Sequence, residues 1–287
     1  MSWAAHEFEN YFIQKHAGTK ASFLAIVLGT MVPDAFTKKW VYMADEPAHF
    51  HRAFPGGIGY THSLIFGLGI AVVVLAVTRS RTWALGLLLG QWAHVLTDVT
   101  DSAGTLVFWP FSNENVSIGM WRHAASAGRF GDAAAYYSSL GGIWDFFWFL
   151  MIVFTAREVL RADYFHKVIV PTDARIWGWL HTRLRLPWHA LLIVYRTWFL
   201  YAFARMVSWF IFARFDVKAP WEPHWNGPSY VVPTDLSSAS FVEVLIKTVI
   251  GGMLFAVFVA ACWWLFIRRL WAWAGLSRRS DSSIVEA

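Results

Sequence analysis

Apolar runs alternate with polar segments along the chain, and their lengths predict helices. Residues 1–20 are polar and amphipathic, with His6, Glu7, Glu9, Lys15 and His16 set among apolar side chains. Residues 21–36 are apolar and closed by Pro33-Asp34. A helix needs about 20 residues to cross the bilayer core, so this run predicts a marginal span or a re-entrant or interfacial helix. Residues 37–62 read as a loop, because Asp45-Glu46-Pro47 and Pro55-Gly56-Gly57 are turn formers. Ser63–Thr78 and Trp83–Val99 are apolar helices separated only by Arg79–Thr82, which predicts a tight helical hairpin. Residues 100–140 read as a long loop. Further spans are expected at Ile143–Ala156, Trp188–Ala213 and Phe241–Ile267, separated by a basic segment over 157–187 and a Pro/Trp-rich loop over 214–240. The expected fold is an all-α polytopic membrane protein, a helical bundle of about five transmembrane helices plus one short N-terminal apolar helix.

Composition agrees with the pattern. Hydrophobic residues make up 57% of the chain and charged residues 15%, against about a quarter charged in a soluble domain. The net charge of +5 matters less than its distribution. Arginines gather at Arg79 and Arg81, through 157–187, and in the tail at Arg268-Arg269 and Arg278-Arg279. Basic loops stay on the cytoplasmic side, so these three segments and the C-terminus are expected there, in a bacterial inner membrane. Residues 100–140 and 214–240 then face outwards. No basic stripe carries stacking aromatics outside the apolar runs, so no nucleic-acid partner is expected. Cys262 is the only cysteine, which excludes an intrachain disulfide and a thiolate-rich metal site. The first seven residues lack the basic start and apolar core of a cleavable signal peptide.

The chemistry concentrates in residues 59–111. A histidine or carboxylate within a membrane helix is costly, so it marks a functional site by default. His94 and Asp98 are spaced i, i+4 and share one helix face. His62 sits at the start of the preceding helix, where a hairpin would bring it to that face. Histidine and carboxylate without cysteine suit a divalent first-row ion, zinc first. The candidate ligands are His62, His94, Asp98, Asp34, His16 and His51. Asp101 is a candidate partner for a ligand imidazole, and Thr61 and Thr100 are candidates to orient or cap. A buried hydrogen-bonded pair that merely stabilises the bundle is the competing reading of His62, His94 and Asp98.

Gly59-Tyr60-Thr61-His62-Ser63-Leu64, then His94-Val95-Leu96-Thr97-Asp98-Val99-Thr100, then Gly104 and Trp109-Pro110-Phe111-Ser112 resemble the YdjM-like family. Its members are described as LexA-regulated, metal-dependent hydrolases of the inner membrane. The resemblance covers about residues 16–112 and includes an early histidine and the Pro33-Asp34 step. It implies distant kinship with zinc-dependent phospholipase C and P1-type nucleases, hence phosphodiester chemistry and a membrane lipid as partner. The pattern departs in two places. Gly57-Ile58 stand where the family has His-Arg, with His51-Arg52 occurring earlier, and Phe36 replaces a second aspartate.

The expected organisation is a YdjM-like membrane domain over 1–140 carrying the metal site, and further transmembrane helices with a basic tail over 141–287. The function expected is a membrane-embedded, metal-dependent hydrolase acting on a lipid or phosphoester at the outer membrane face. The alternative is a non-catalytic structural subunit of a larger membrane protein complex, supported by the departed motif, the unmatched second half and the abundant Trp and Phe; a tetrapyrrole ligated by a membrane histidine belongs to that reading. A transporter with Arg196 and Arg205 lining a path is a third, weakened by the lack of an internal repeat.

Overall fold

A computed structural model describes residues 3–41, 58–100, 104–120 and 140–215, with isolated positions between 257 and 269. The described residues are all-helical apart from one isolated β-bridge. The helices are α1 (Trp3–Ala17), α2 (Phe23–Val41), α3 (Leu64–Thr78), α4 (Arg81–Asp98), α5 (Leu140–Val159), α6 (Ala174–Thr182) and α7 (Trp188–Phe215). Among the described residues one helix, Leu140–Val159, is long and apolar enough to cross a membrane; Phe23–Asp34 and Leu64–Thr78 are shorter apolar segments. The span expected over Phe241–Ile267, the basic tail, His51 and Asp101 lie outside the described residues.

Two elements differ from expectation. Pro33 does not end its helix but lies inside α2, which continues to Val41. Asp34 therefore projects from a helix body. The segment 157–187 is not a plain loop, since short helical turns run from Ala162 to Thr172 and lead into α6.

The α3–α4 connection is the tight turn its sequence predicts. Arg79 takes a left-handed backbone conformation (φ 54°) and its N–H closes on Leu75 O, while the Ser80 side chain caps Trp83 N. Ser63 caps the start of α3 by accepting from Phe66 N. Such caps satisfy N–H groups that the helix itself leaves unpaired.

Close packing of α2 on α4 sets the depth of everything that follows. Gly29 of α2 lies against Gly90 of α4, and a Cβ on Gly29 would strike the Leu87 carbonyl, while one on Gly90 would strike the Ile26 carbonyl. A Cβ on Gly86 would stand 2.6 Å from Ser22 O and 3.0 Å from the Ala25 Cβ. Gly86 and Gly90, with Ala25 and Gly29 facing them, make the small-residue contact that lets membrane helices approach backbone to backbone. Asp34 and His94 each lie about one turn beyond this crossing.

The second half of the described chain packs on α1 rather than apart from it. Phe8, Tyr11 and Phe23 share one core with Ile152, Val159, Phe165, Trp177, Leu191, Tyr195 and Phe199. Tyr11 donates to Tyr195 O (2.9 Å), and Tyr195 donates to Val159 O (3.0 Å). Arg196, one candidate for a transport path, is buried and donates from Nε to Leu160 O (2.9 Å). Ser22 and the Leu24 N–H at the start of α2 both donate to Asp173. The N-terminus of α1, the C-terminal half of α2, the start of α3, the end of α4 and the start of α5 meet at one end of the bundle. Arg79, Arg81, the Lys15–Glu158 ion pair (3.0 Å) and the 161–185 basic segment lie towards the other.

Candidate metal centre

α4 carries the inner face of the site. Gln91, His94, Thr97 and Asp98 are all buried there, at helical spacing. His94 and Asp98 are one turn apart, with His94 Nε2 3.4 Å from Asp98 Oδ2. His62, on a short 3-10 turn over Ile58–His62, is 3.4 Å from the same Asp98 Oδ2 through its own Nε2. Asp34 arrives from α2, its Oδ1 3.8 Å from His62 Nε2 and 3.7 Å from His94 Nε2. Asp34 is 19% exposed while His62 and His94 are fully buried, so the open side of the cluster lies beside Asp34.

The backbone around His62 is clamped. Gln91 Nε2 donates to Thr61 O (3.0 Å) and Ser63 O (2.9 Å), and Thr105 donates to His62 O (3.1 Å). Gly67 leaves room for this, because a Cβ there would collide with Gln91 Oε1. The Thr61 hydroxyl lies 3.2 Å from His62 Nδ1. It fixes the ring so that Nε2 points inward. Thr100 instead caps the end of α4, donating to Thr97 O.

An outer layer comes from α1. His6 Nε2 is 3.1 Å from Asp98 Oδ1, and His6 Nδ1 is 3.4 Å from Glu9 Oε1. Thr97 donates to the other Glu9 oxygen (3.0 Å). The His6 ring stacks on His94 at 4.1 Å between centroids. Burial pulls the His6 pKa down, but Asp98 and Glu9 outweigh it and hold the group at about 9. As a cation His6 donates to both carboxylates. His62 goes the other way. Burial pushes it down to about 4 with help from His94, and Asp34 and Asp98 only partly oppose this.

These atoms fit a divalent ion. The Nε2 atoms of His62 and His94 are buried without a hydrogen-bond partner among the described residues. Each faces carboxylate oxygens of Asp34 and Asp98 at 3.4–3.8 Å. Bond lengths of 2.0–2.2 Å in a tetrahedral site place neighbouring ligand atoms roughly 3.3–3.6 Å apart. The four separations here run from 3.4 to 3.8 Å. Asp34, His62 and His94 form one group with metal-ligand spacing, and His6, His94 and Asp98 a second, overlapping one.

A family model for the YdjM inner membrane protein matches residues 5–164, more than half of the 287-residue chain. The chain belongs to the YdjM family. The family places it in the inner membrane, and its His/Asp clusters have the spacing to hold a divalent metal. Comparison with the curated proteins and with the solved structures finds no match. The YdjM match begins before His6 and ends within the helical turns after α5. It is thus wider at both ends than the stretch of 16–112 that carries the resembling motifs.

Of the six candidate ligands, the structure brings His62, His94, Asp98 and Asp34 together. His16 is not among them. It is exposed on α1 and packs its ring on Phe12 at 4.6 Å. It stands about 15 Å along the helix from His6, at roughly 1.5 Å per residue. His6 and Glu9 are the pair beside the cluster that the motifs did not single out. Their signal is a polar stripe of His6, Glu9, Asn10 and Gln14 at helical spacing beside Phe8 and Tyr11. Glu9, Asn10 and Gln14 are buried. A surface amphipathic helix would have left that stripe in water.

Proposed function

We propose that the protein is a membrane-embedded, metal-dependent hydrolase acting on a lipid or phosphoester at the outer membrane face. The convergence of Asp34, His62, His94 and Asp98, with two buried imidazole nitrogens lacking hydrogen-bond partners, carries this reading. The four would hold the ion, which zinc suits best. A divalent ion bound there supplies a Lewis acid and lowers the pKa of water.

The chain's own groups divide the remaining work. Cationic His6 binds Asp98 Oδ1 and leaves Oδ2 turned to the two imidazoles. Glu9 neutralises His6 and is held by Thr97. Gln91 and Thr105 fix the backbone at His62, so its ring has one orientation. Among the described ligands, His62, His94 and Asp98 are buried and Asp34 is the partly exposed one. The arginines at the far end of the bundle support an outward-facing site and a cytoplasmic C-terminus.

The test is hydrolysis by the full chain in nanodiscs, first stripped with chelator and then reloaded with zinc. A soluble phosphodiester and a phospholipid should both be assayed. Turnover that disappears on stripping, returns with zinc and is absent in the His94→Ala variant is the expected result. Residues 165–287 fall beyond the family match, which favours one second reading, a non-catalytic subunit of a larger membrane complex. Stoichiometric metal without turnover on either substrate would move that reading to the front.

A further inference from the structure

The segment after α4 folds back on the site as a small hairpin. Thr105 and Val116 pair through two backbone hydrogen bonds, 3.0 and 2.9 Å. Gly104 makes this possible with φ 68°, where a Cβ would stand 2.5 Å from Val116 O. Leu106 and Val107 point into the protein and are buried. The four residues that follow are all apolar, and all but the half-buried Trp109 do the opposite. Phe108 is 56% exposed and Phe111 84% exposed, with Pro110 exposed between them. Ile118, on the returning arm, is 60% exposed. Three exposed apolar residues at one loop tip, Phe108, Pro110 and Phe111, are costly in water.

This tip is attached to the site and to α3. Val107 O accepts the Leu64 N–H at the first turn of α3 (3.1 Å). The Trp109 ring lies 5.5 Å from Tyr60, two residues before His62. The returning arm is tied to the end of α4 by Ile118 N–H on Val99 O (2.7 Å) and Met120 N–H on Thr100 O (3.0 Å). Tip, His62 and Asp98 therefore sit at the same end of the bundle.

The length of α3 says what covers the tip. Its outward residues Ile65, Leu68, Val72, Val73, Leu75 and Val77 are all exposed and apolar, and the helix has no charged residue. Fifteen residues reach about 22 Å, whereas the hydrocarbon core is about 30 Å thick. If the arginines at Arg79 and Arg81 mark one interface, the core extends about 8 Å beyond Ser63 at the other. Among the described residues beside the start of α3, the apolar surface continues in that direction through the 104–118 hairpin, at Phe108, Phe111 and Ile118. Aromatic side chains are the ones that favour the boundary between headgroups and acyl chains.

We propose that Phe108–Phe111 is a membrane-interface anchor that seats in the lipid boundary and holds the His62–Asp98 cluster within about 8 Å of it. The occupant of this surface is lipid, not a second protein. If the hydrolase reading holds, the group cleaved must then lie close beneath the headgroups, as it does in an amphiphile lying in the bilayer.

The anchor is tested without turnover, so its failure is separate from failure of the hydrolase reading. The full chain carrying Cys262→Ser is given one new cysteine by Phe111→Cys, labelled with an environment-sensitive fluorophore, and placed in phosphatidylcholine nanodiscs. Ile118→Cys is a second site should the first variant express poorly, and Glu114→Cys, on the polar part of the same hairpin, is the reference. Labels at 111 and 118 should be quenched several-fold more by nitroxide lipids with the probe near the headgroup than by aqueous iodide. The label at 114 should show the reverse order. Equal iodide access at 111, 118 and 114 overturns the proposal, because the tip is then in water. Shielding at 111 and 118 from both quenchers also overturns it, because protein then covers the tip.

Discussion

α3 and α4 are consecutive, joined by a two-residue turn, and opposite in character. α3 has no charged residue and buries only Gly67 and Ala71. α4 carries Gln91, His94, Thr97 and Asp98, and buries all four together with Gly86 and Gly90. The more hydrophobic helix is on the outside, the more polar one inside. A water-soluble protein would arrange them the other way round. In a bilayer the arrangement is the stable one, because α3 meets hydrocarbon while the polar groups of α4 meet one another. The contrast identifies the site independently of any motif. A polar side chain kept at the centre of a membrane bundle needs a partner, and here the partners converge on one point.

The comparison breaks most sharply at Asp98. Asp98→Ala removes a ligand and also leaves cationic His6 without its main partner. Metal affinity should fall by more than the 10–100-fold typical of losing an outer partner. Val73→Ala on the exposed face of α3 should leave metal affinity unchanged. Titration of both variants with a competing chelator checks the pair, and equal losses would dissolve the distinction between the helices.

A smaller effect is expected at the α2–α4 crossing. Gly90→Leu pushes a side chain into the Ile26 backbone, where no flexible group can yield. Overpacking of this kind costs about 1–3 kcal/mol. It should also move Asp34 away from His94. Thermal unfolding in detergent should show the lower stability, and bound metal should fall with it. Wild-type metal content in a destabilised Gly90→Leu variant would mean that the crossing does not set the distance to Asp34.

The smallest of the three lies in the outer layer. His6→Ala and Thr61→Ala each remove one group that orients a ligand, on Asp98 and His62 respectively. Each should weaken metal binding by about 10–100-fold without abolishing it. Chelator titration reads the effect. A loss as complete as that of Asp98→Ala would promote His6 to a direct ligand, and no loss would reduce Thr61 to a backbone cap.

Much of this was legible in the sequence, for specific reasons. His94 and Asp98 announce a shared face because four residues make one helical turn. His62 follows because Arg79–Thr82 is too short to send α3 anywhere but alongside α4. Asp34 was named, but the helix around it was not, since Pro33 usually ends a helix and here does not. His6 was passed over in favour of His16 because an N-terminal polar stripe reads as a surface helix. Only the large apolar core formed around Phe8 and Tyr11 explains why α1 is drawn inside. The spacing Gly86-Leu87-Leu88-Leu89-Gly90 was a readable packing signal. The hairpin at 104–118 had little to reveal it, because its two-bond pairing depends on Gly104 and on contacts with α3 and α4 rather than on local periodicity.

The central claim is that Asp34, His62, His94 and Asp98 surround one ion. X-ray absorption at the zinc edge, on the full chain purified in nanodiscs and reloaded with one equivalent of zinc, tests it most directly. The account predicts nitrogen and oxygen neighbours at about 2.0–2.2 Å, no sulfur, and an imidazole signature of two histidines that is halved in His62→Ala. A chain that retains no zinc after desalting, or a spectrum unchanged in His62→Ala, would contradict it.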